Sequence, residues 1–110
     1  MEQPDLSIDP EREARYKEIV RRIVLKVVEP YPCRVYLFGS RAGGRIRRSS
    51  DFDIAIEGIP EGQFWKVKQA IEEAVEESIV PHDIDVVNLE TVDSRFRESF
   101  ERQKEVWKDG

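Results

Sequence analysis

The chain has 110 residues, 39% of them apolar and 37% charged, with a net charge of −5. That apolar share is too high for a disordered chain, the length suits one domain over residues 1–110, and the acidic balance argues against a general nucleic-acid binder. A single cysteine, Cys33, excludes an internal disulfide or a cysteine-rich zinc site, and without a membrane-length apolar run or a signal-like start, a soluble cytoplasmic protein is expected.

Asp9 and Pro10 suit an N-cap and a first helical position. Behind them Tyr16, Ile19, Val20, Ile23, Val24, Val27 and Val28 recur at helical spacing, until Pro30 and Pro32 stop the helix. "RVYLF", Arg34 to Phe38, is rich in β-formers and is cut off by Gly39. Four arginines follow in the loop "GSRAGGRIRRSS". "DFDIAIE", Asp51 to Glu57, then alternates, with Phe52, Ile54 and Ile56 facing one way and Asp51, Asp53 and Ala55 the other.

After a turn at Gly58 and Pro60, a second amphipathic helix is predicted from about Glu61 to Ser78, with the stripe Phe64, Val67, Ile71, Ala74, Val75 and Ser78. "HDIDVVNL" reads as a third strand, with Asp83 and Asp85 on one face and Ile84 and Val86 on the other. A last helix, roughly Val92 to Arg102, carries Phe96 and Phe100, and "EVWK" suits a short edge strand. Trp65 and Trp107 are expected at element edges or a partner surface, and His82 at a strand edge. The order predicts an α+β, or α/β two-layer, domain: a small mixed sheet with helices packed on one face and the aspartates on the uncovered face.

Residues two apart on a strand point to the same side, with a rise of roughly 6.6 Å between them. The carboxylates of Asp51 and Asp53 therefore share one face and repel unless a cation intervenes. Hard Mg²⁺ prefers carboxylate oxygens and substrate phosphates. Asp85, on a neighbouring strand, has the parity to add a third acid, and Asp83 is its rival. Gly39 lets the backbone approach an anion, and Ser40 is expected to N-cap a short helical turn whose N–H groups face phosphate. Arg41 and Arg47 are the preferred phosphate or partner contacts, since a guanidinium binds phosphate in a bidentate way. A triphosphate with its metal needs anion donors on one side and carboxylates on the other, and this stretch supplies both.

"GSRAGGRIRRSSDFDIAI" resembles the signature of minimal nucleotidyltransferases, a branch of the DNA polymerase beta-like nucleotidyltransferase superfamily. Gly39, Ser40, Asp51 and Asp53 match the superfamily pattern; Arg41, Ala42, Gly44, Arg47 and Ser50 match the finer pattern of the minimal branch. "DIDVVNL" resembles its third-acid strand and puts the third carboxylate at Asp85. Gly43 stands where an arginine is common, and Ser49 where an acid or glycine is common. The resemblance implies a nucleotidyltransferase fold, ATP as substrate, two Mg²⁺ ions held by Asp51, Asp53 and Asp85, and Ser50 among the nucleotide contacts. It further implies an antitoxin that transfers AMP to a tyrosine of a helical HEPN toxin. A homo-oligomer and a hetero-oligomer both stay open. Two other readings stay open: a nucleotide-binding module that neutralises a partner by contact, and a transferase acting on a small-molecule hydroxyl.

Overall fold

The computed structural model describes residues 9–42 and 51–110. The first helix, α1 (Pro10–Val28), starts as its sequence dictates. Asp9 is extended, its carboxylate accepts from the Glu11 and Arg12 amides, and Pro10 opens the helix without needing a donor. Glu11 and Glu13 in the first turn and Lys26 in the last complement the helix dipole.

The chain continues as β1 (Arg34–Phe38), a 3₁₀ turn (Gly39–Arg41), β2 (Phe52–Glu57), α2 (Phe64–Glu76), β3 (Ile84–Asn88), a second 3₁₀ turn (Leu89–Thr91), α3 (Ser94–Arg102) and β4 (Lys104–Asp109). Two helices are shorter than their patterns predict, for local reasons. Gly62 adopts φ +87°, so a turn occupies the residues before Phe64, and the Ser78 hydroxyl folds back onto the Val75 carbonyl. Val92 is extended, and Asp93 caps α3 by accepting from the Phe96 amide at 2.8 Å.

The sheet order is β3-β2-β1-β4. β1 pairs antiparallel with β2 and β4, whereas β2 and β3 run parallel and are joined through α2. α1 and α2 cover one face. Val20, Val24 and Val28 of α1 and Val67, Ile71 and Val75 of α2 pack on Val35, Leu37, Phe52, Ile54 and Ile56. Ile54 and Ile56 are fully buried, as their alternation requires. Trp107 lies on the edge strand β4 and joins this core, and its indole N–H donates to Glu105 at 2.6 Å.

The expected one-sided helical cover holds for α1 and α2 only. α3 lies on the opposite face, where Phe96 and Phe100 pack with Tyr36, Phe38, Ala55 and Leu89. Tyr36 and Phe38 alternate with buried Val35 and Leu37, so they present a second apolar surface that must also be covered. Tyr36 and Phe38 meet the α3 rings edge-on, with Tyr36 and Phe100 centroids 5.1 Å apart. Among the described residues no helix is long and apolar enough to cross a membrane.

Candidate active site

The carboxylate face is built by strand register. Asp53 of β2 lies opposite Asp85 on the parallel side and opposite Phe38 on the antiparallel side. One step along, Ala55 lies opposite Tyr36 and Val87, and that row is where α3 docks. The second face is therefore divided: α3 covers one part, and the acids occupy the part beside Phe38.

Asp53 is partly buried, and its carboxyl is held above the usual carboxylate range. Burial is the largest cause, the negative charges of Asp85 and Asp51 add to it, and Arg41 opposes them. Asp85 and Asp51 thus both act electrically on Asp53. In position, however, the side chains do not close around a common point: among the described residues no three acidic, histidine or cysteine groups stand close enough to share a metal. The donor set nevertheless suits a hard divalent cation, because it is all carboxylate and its most buried member gains most from a neighbouring positive charge.

Gly39 sits against these acids. It has φ +76°, a conformation that side chains disfavour, and a Cβ there would lie 2.5 Å from Asp53 Oδ2. The sequence suggests that Gly39 admits a ligand's phosphate; the structure shows that it also makes room for the Asp53 carboxylate. The 3₁₀ turn starts at Gly39, with Phe38 in the cap position and no side-chain cap bond. Ser40 therefore lies inside the turn and is not its N-cap, because the left-handed glycine already begins the turn.

Asp51 is exposed just ahead of β2, and its carbonyl accepts from Arg41 Nε at 3.2 Å. The Arg41 side chain is only 3% exposed. Its guanidinium lies 3.9 Å above the Phe52 ring and donates to Glu13 at 3.3 Å. This geometry turns Arg41 inward instead of presenting it to solvent as an open phosphate contact. The other proposed loop contacts, Arg47 and Ser50, lie outside the described residues, as do Gly43, Gly44, Arg45, Arg48 and Ser49.

Register also separates Asp85 from Asp83, which share one parity. Asp83 precedes β3, and its carbonyl accepts the Phe52 amide at 3.0 Å. Asp85 is the acid directly beside Asp53.

Two residues near the site escape a reading by motif. Glu13 is 6% exposed and lies within 3.0 Å of His82 Nε2. A signal does exist, since Glu13 stands on the α1 stripe three residues before Tyr16 and seven before Val20, where an apolar residue is expected. A cleft of about 550 Å³ opens elsewhere, between the end of α2 and the start of β3, lined by Glu72, Val75, Glu76, Val80, His82 and Asp83 among others. It contains none of Asp51, Asp53 and Asp85.

Four similarities agree with this geometry. The family model "Polymerase beta, Nucleotidyltransferase" matches residues 25–108. The probable protein adenylyltransferase MntA of Haemophilus influenzae is 34% identical over 80 residues, 73% of this chain and 68% of that protein. Among solved structures, one assigned as a minimal nucleotidyltransferase aligns over 92% of this chain and 98% of its own, with 26% identity and a TM-score of 0.63. The complex of a tri-AMPylated Shewanella oneidensis HEPN toxin with MNT antitoxin aligns over 86% of this chain and 73% of that one, at 19% identity and a TM-score of 0.61, a likeness of fold.

Proposed function

The chain belongs to the polymerase beta nucleotidyltransferase family and is a nucleotidyltransferase, and from that premise we propose that it transfers AMP from ATP to a tyrosine hydroxyl of a HEPN-type toxin, acting as the antitoxin of the pair. The observation that carries this reading is the placement of Asp53 opposite Asp85, with Gly39 opening the backbone above Asp53. The likeness to an adenylyltransferase supports AMP as the transferred group, and the HEPN–MNT complex supports the kind of acceptor.

In this reading Asp51 and Asp53 would hold Mg²⁺, with Asp85 available to a second ion, and the metal would supply neutralisation of the triphosphate charge and Lewis-acid polarisation of the α-phosphate. The backbone of the Gly39–Arg41 turn faces the phosphates. Asp85 takes the proton of the attacking hydroxyl, whose oxygen forms a bond to the α-phosphorus. The bond from that phosphorus to the α,β-bridging oxygen breaks, and pyrophosphate leaves. Backbone pairing sets Asp53 between Phe38 of β1 and Asp85 of β3.

The test is to incubate the protein with Mg²⁺, a HEPN-type partner and ATP labelled at the α-phosphate. The partner should acquire label and the mass of AMP, on a tyrosine, with release of pyrophosphate. Neutralisation of the partner without any label would replace transfer by inhibition through contact. Label on a small molecule alone would replace the protein acceptor.

A further inference from the structure

We propose that Glu13 is a positioning residue for nucleotidyl transfer: it ties the Gly39–Arg41 turn and the start of β2 to the start of β3, and so sets the spacing of the active-site acids. This rests on the nucleotidyltransferase site described above.

Glu13 comes from α1, Arg41 from the turn, and His82 from the segment just before β3. All three side chains are nearly inaccessible, at 7%, 3% and 11% exposure. Glu13 Oε2 accepts from Arg41 at 3.3 Å, and both carboxylate oxygens lie 3.0 Å from His82 Nε2. Arg41 in turn donates to the Asp51 carbonyl and covers the Phe52 ring. The Phe52 amide donates to the Asp83 carbonyl, and the His82 ring packs against Phe52 with centroids 6.0 Å apart. These contacts form a closed circuit: Glu13, Arg41, Asp51 and Phe52, Asp83 and His82, then Glu13 again.

The circuit passes through or beside each acid. Asp51 and Asp53 flank Phe52, and Asp85 follows His82 by three residues. A cluster of buried charges is a poor way to gain stability, since packed apolar side chains of similar volume do as well or better. It is a good way to impose one geometry, because carboxylate and guanidinium bonds are directional and an unpartnered charge is costly to bury. The stripe of α1 would accept a leucine at position 13; the carboxylate there acts on the turn and the strands. Arg41, which Glu13 holds, is also the positive charge that partly offsets the acids around Asp53.

The experiment compares Glu13→Gln and Glu13→Ala with the wild type at a temperature where circular dichroism shows each to be folded. Amide hydrogen exchange is read at Ala42, bonded to the Gly39 carbonyl, and at Phe52, bonded to the Asp83 carbonyl. Mg·ATP affinity is read by calorimetry. Exchange should accelerate at Ala42 and Phe52 while the amides of Ile71 and Val75 stay as in the wild type. Mg·ATP affinity should fall by about 10- to 100-fold, the range for residues that orient metal-site ligands, and more in Glu13→Ala than in Glu13→Gln. Uniformly faster exchange with unchanged affinity would overturn the proposal, because that pattern belongs to lost stability alone. Should Glu13→Ala fail to fold, Glu13→Gln decides. A wild-type protein that does not bind Mg·ATP would strike the nucleotide-site reading instead, and local against uniform exchange would still decide the role of Glu13.

Discussion

Asp53 and Asp85 stand directly opposite each other across the parallel β2–β3 pair, on the face shared with Phe38. Like charges directly opposed on a sheet are unfavourable. Here burial adds to the repulsion, and Asp51 adds a third negative charge. The free protein therefore carries an electrostatic penalty at the place where a metal and a triphosphate would relieve it.

Asp53→Asn should raise the melting temperature of the metal-free protein at neutral pH and abolish Mg·ATP binding. The folded-state carboxyl of Asp53 is raised above its ordinary value by burial, then by Asp85 and Asp51. Folded wild type thus holds its proton more tightly than the unfolded chain does, and the Asp53 contribution to stability improves as pH falls through that window. The mutant has no such group, so its advantage should shrink on acidification. Thermal melts of both proteins across an acid-to-neutral series, with calorimetry for Mg·ATP, check both halves. A mutant that melts below the wild type at neutral pH would contradict the penalty.

Asp85→Asn should bind Mg·ATP nearly as the wild type does, yet transfer AMP roughly a hundredfold more slowly, the scale for losing a general base. Asp83→Asn should transfer nearly normally, since its backbone carbonyl, not its carboxylate, is used in pairing with Phe52. Single-turnover assays on both mutants with the HEPN-type acceptor distinguish them. Loss of activity in Asp83→Asn alone would move the third acid to that position.

Gly39→Ala should cost about 1–3 kcal/mol, the usual range for a side chain forced into a sparsely populated backbone region. The new Cβ also meets Asp53 Oδ2 at 2.5 Å, so the carboxylate must turn away. Mg·ATP affinity should fall along with stability. Urea denaturation and calorimetry measure the two effects, and wild-type affinity in Gly39→Ala would separate the turn from the nucleotide site.

Phe100→Ala should destabilise the fold by about 3–5 kcal/mol, the usual cost of emptying a buried aromatic position. Phe100 is 3% exposed and contacts the rings of Tyr36, Phe38 and Phe96. Equilibrium urea unfolding gives the value. A loss below about 1 kcal/mol, well outside that range, would mean that α3 is not anchored on the acid-bearing face.

Some features could be read residue by residue because their causes are local. Asp9 and Pro10 mark the start of α1, since cap geometry involves only adjacent amides. The alternation of Phe52, Ile54 and Ile56 with Asp51 and Asp53 sorts β2 into a buried and an acidic face, because side chains on a strand repeat every second residue. Gly39, ending a β-rich run, signals a turn that needs a left-handed residue.

Other features depend on which elements meet. The period of Phe96 and Phe100 shows that α3 has an apolar side but not which face of the sheet it covers; Tyr36 and Phe38 decide that. Asp83 and Asp85 have the same parity, so no pattern within their own strand separates them, and only the register with β2 puts Asp85 beside Asp53. Arg41 reads as an open cation until Glu13, 28 residues earlier, is brought against it. Periodicity, capping and turn chemistry act over a few residues and are encoded in sequence. Register, face and burial arise from contacts between distant segments, and packing alone selects them.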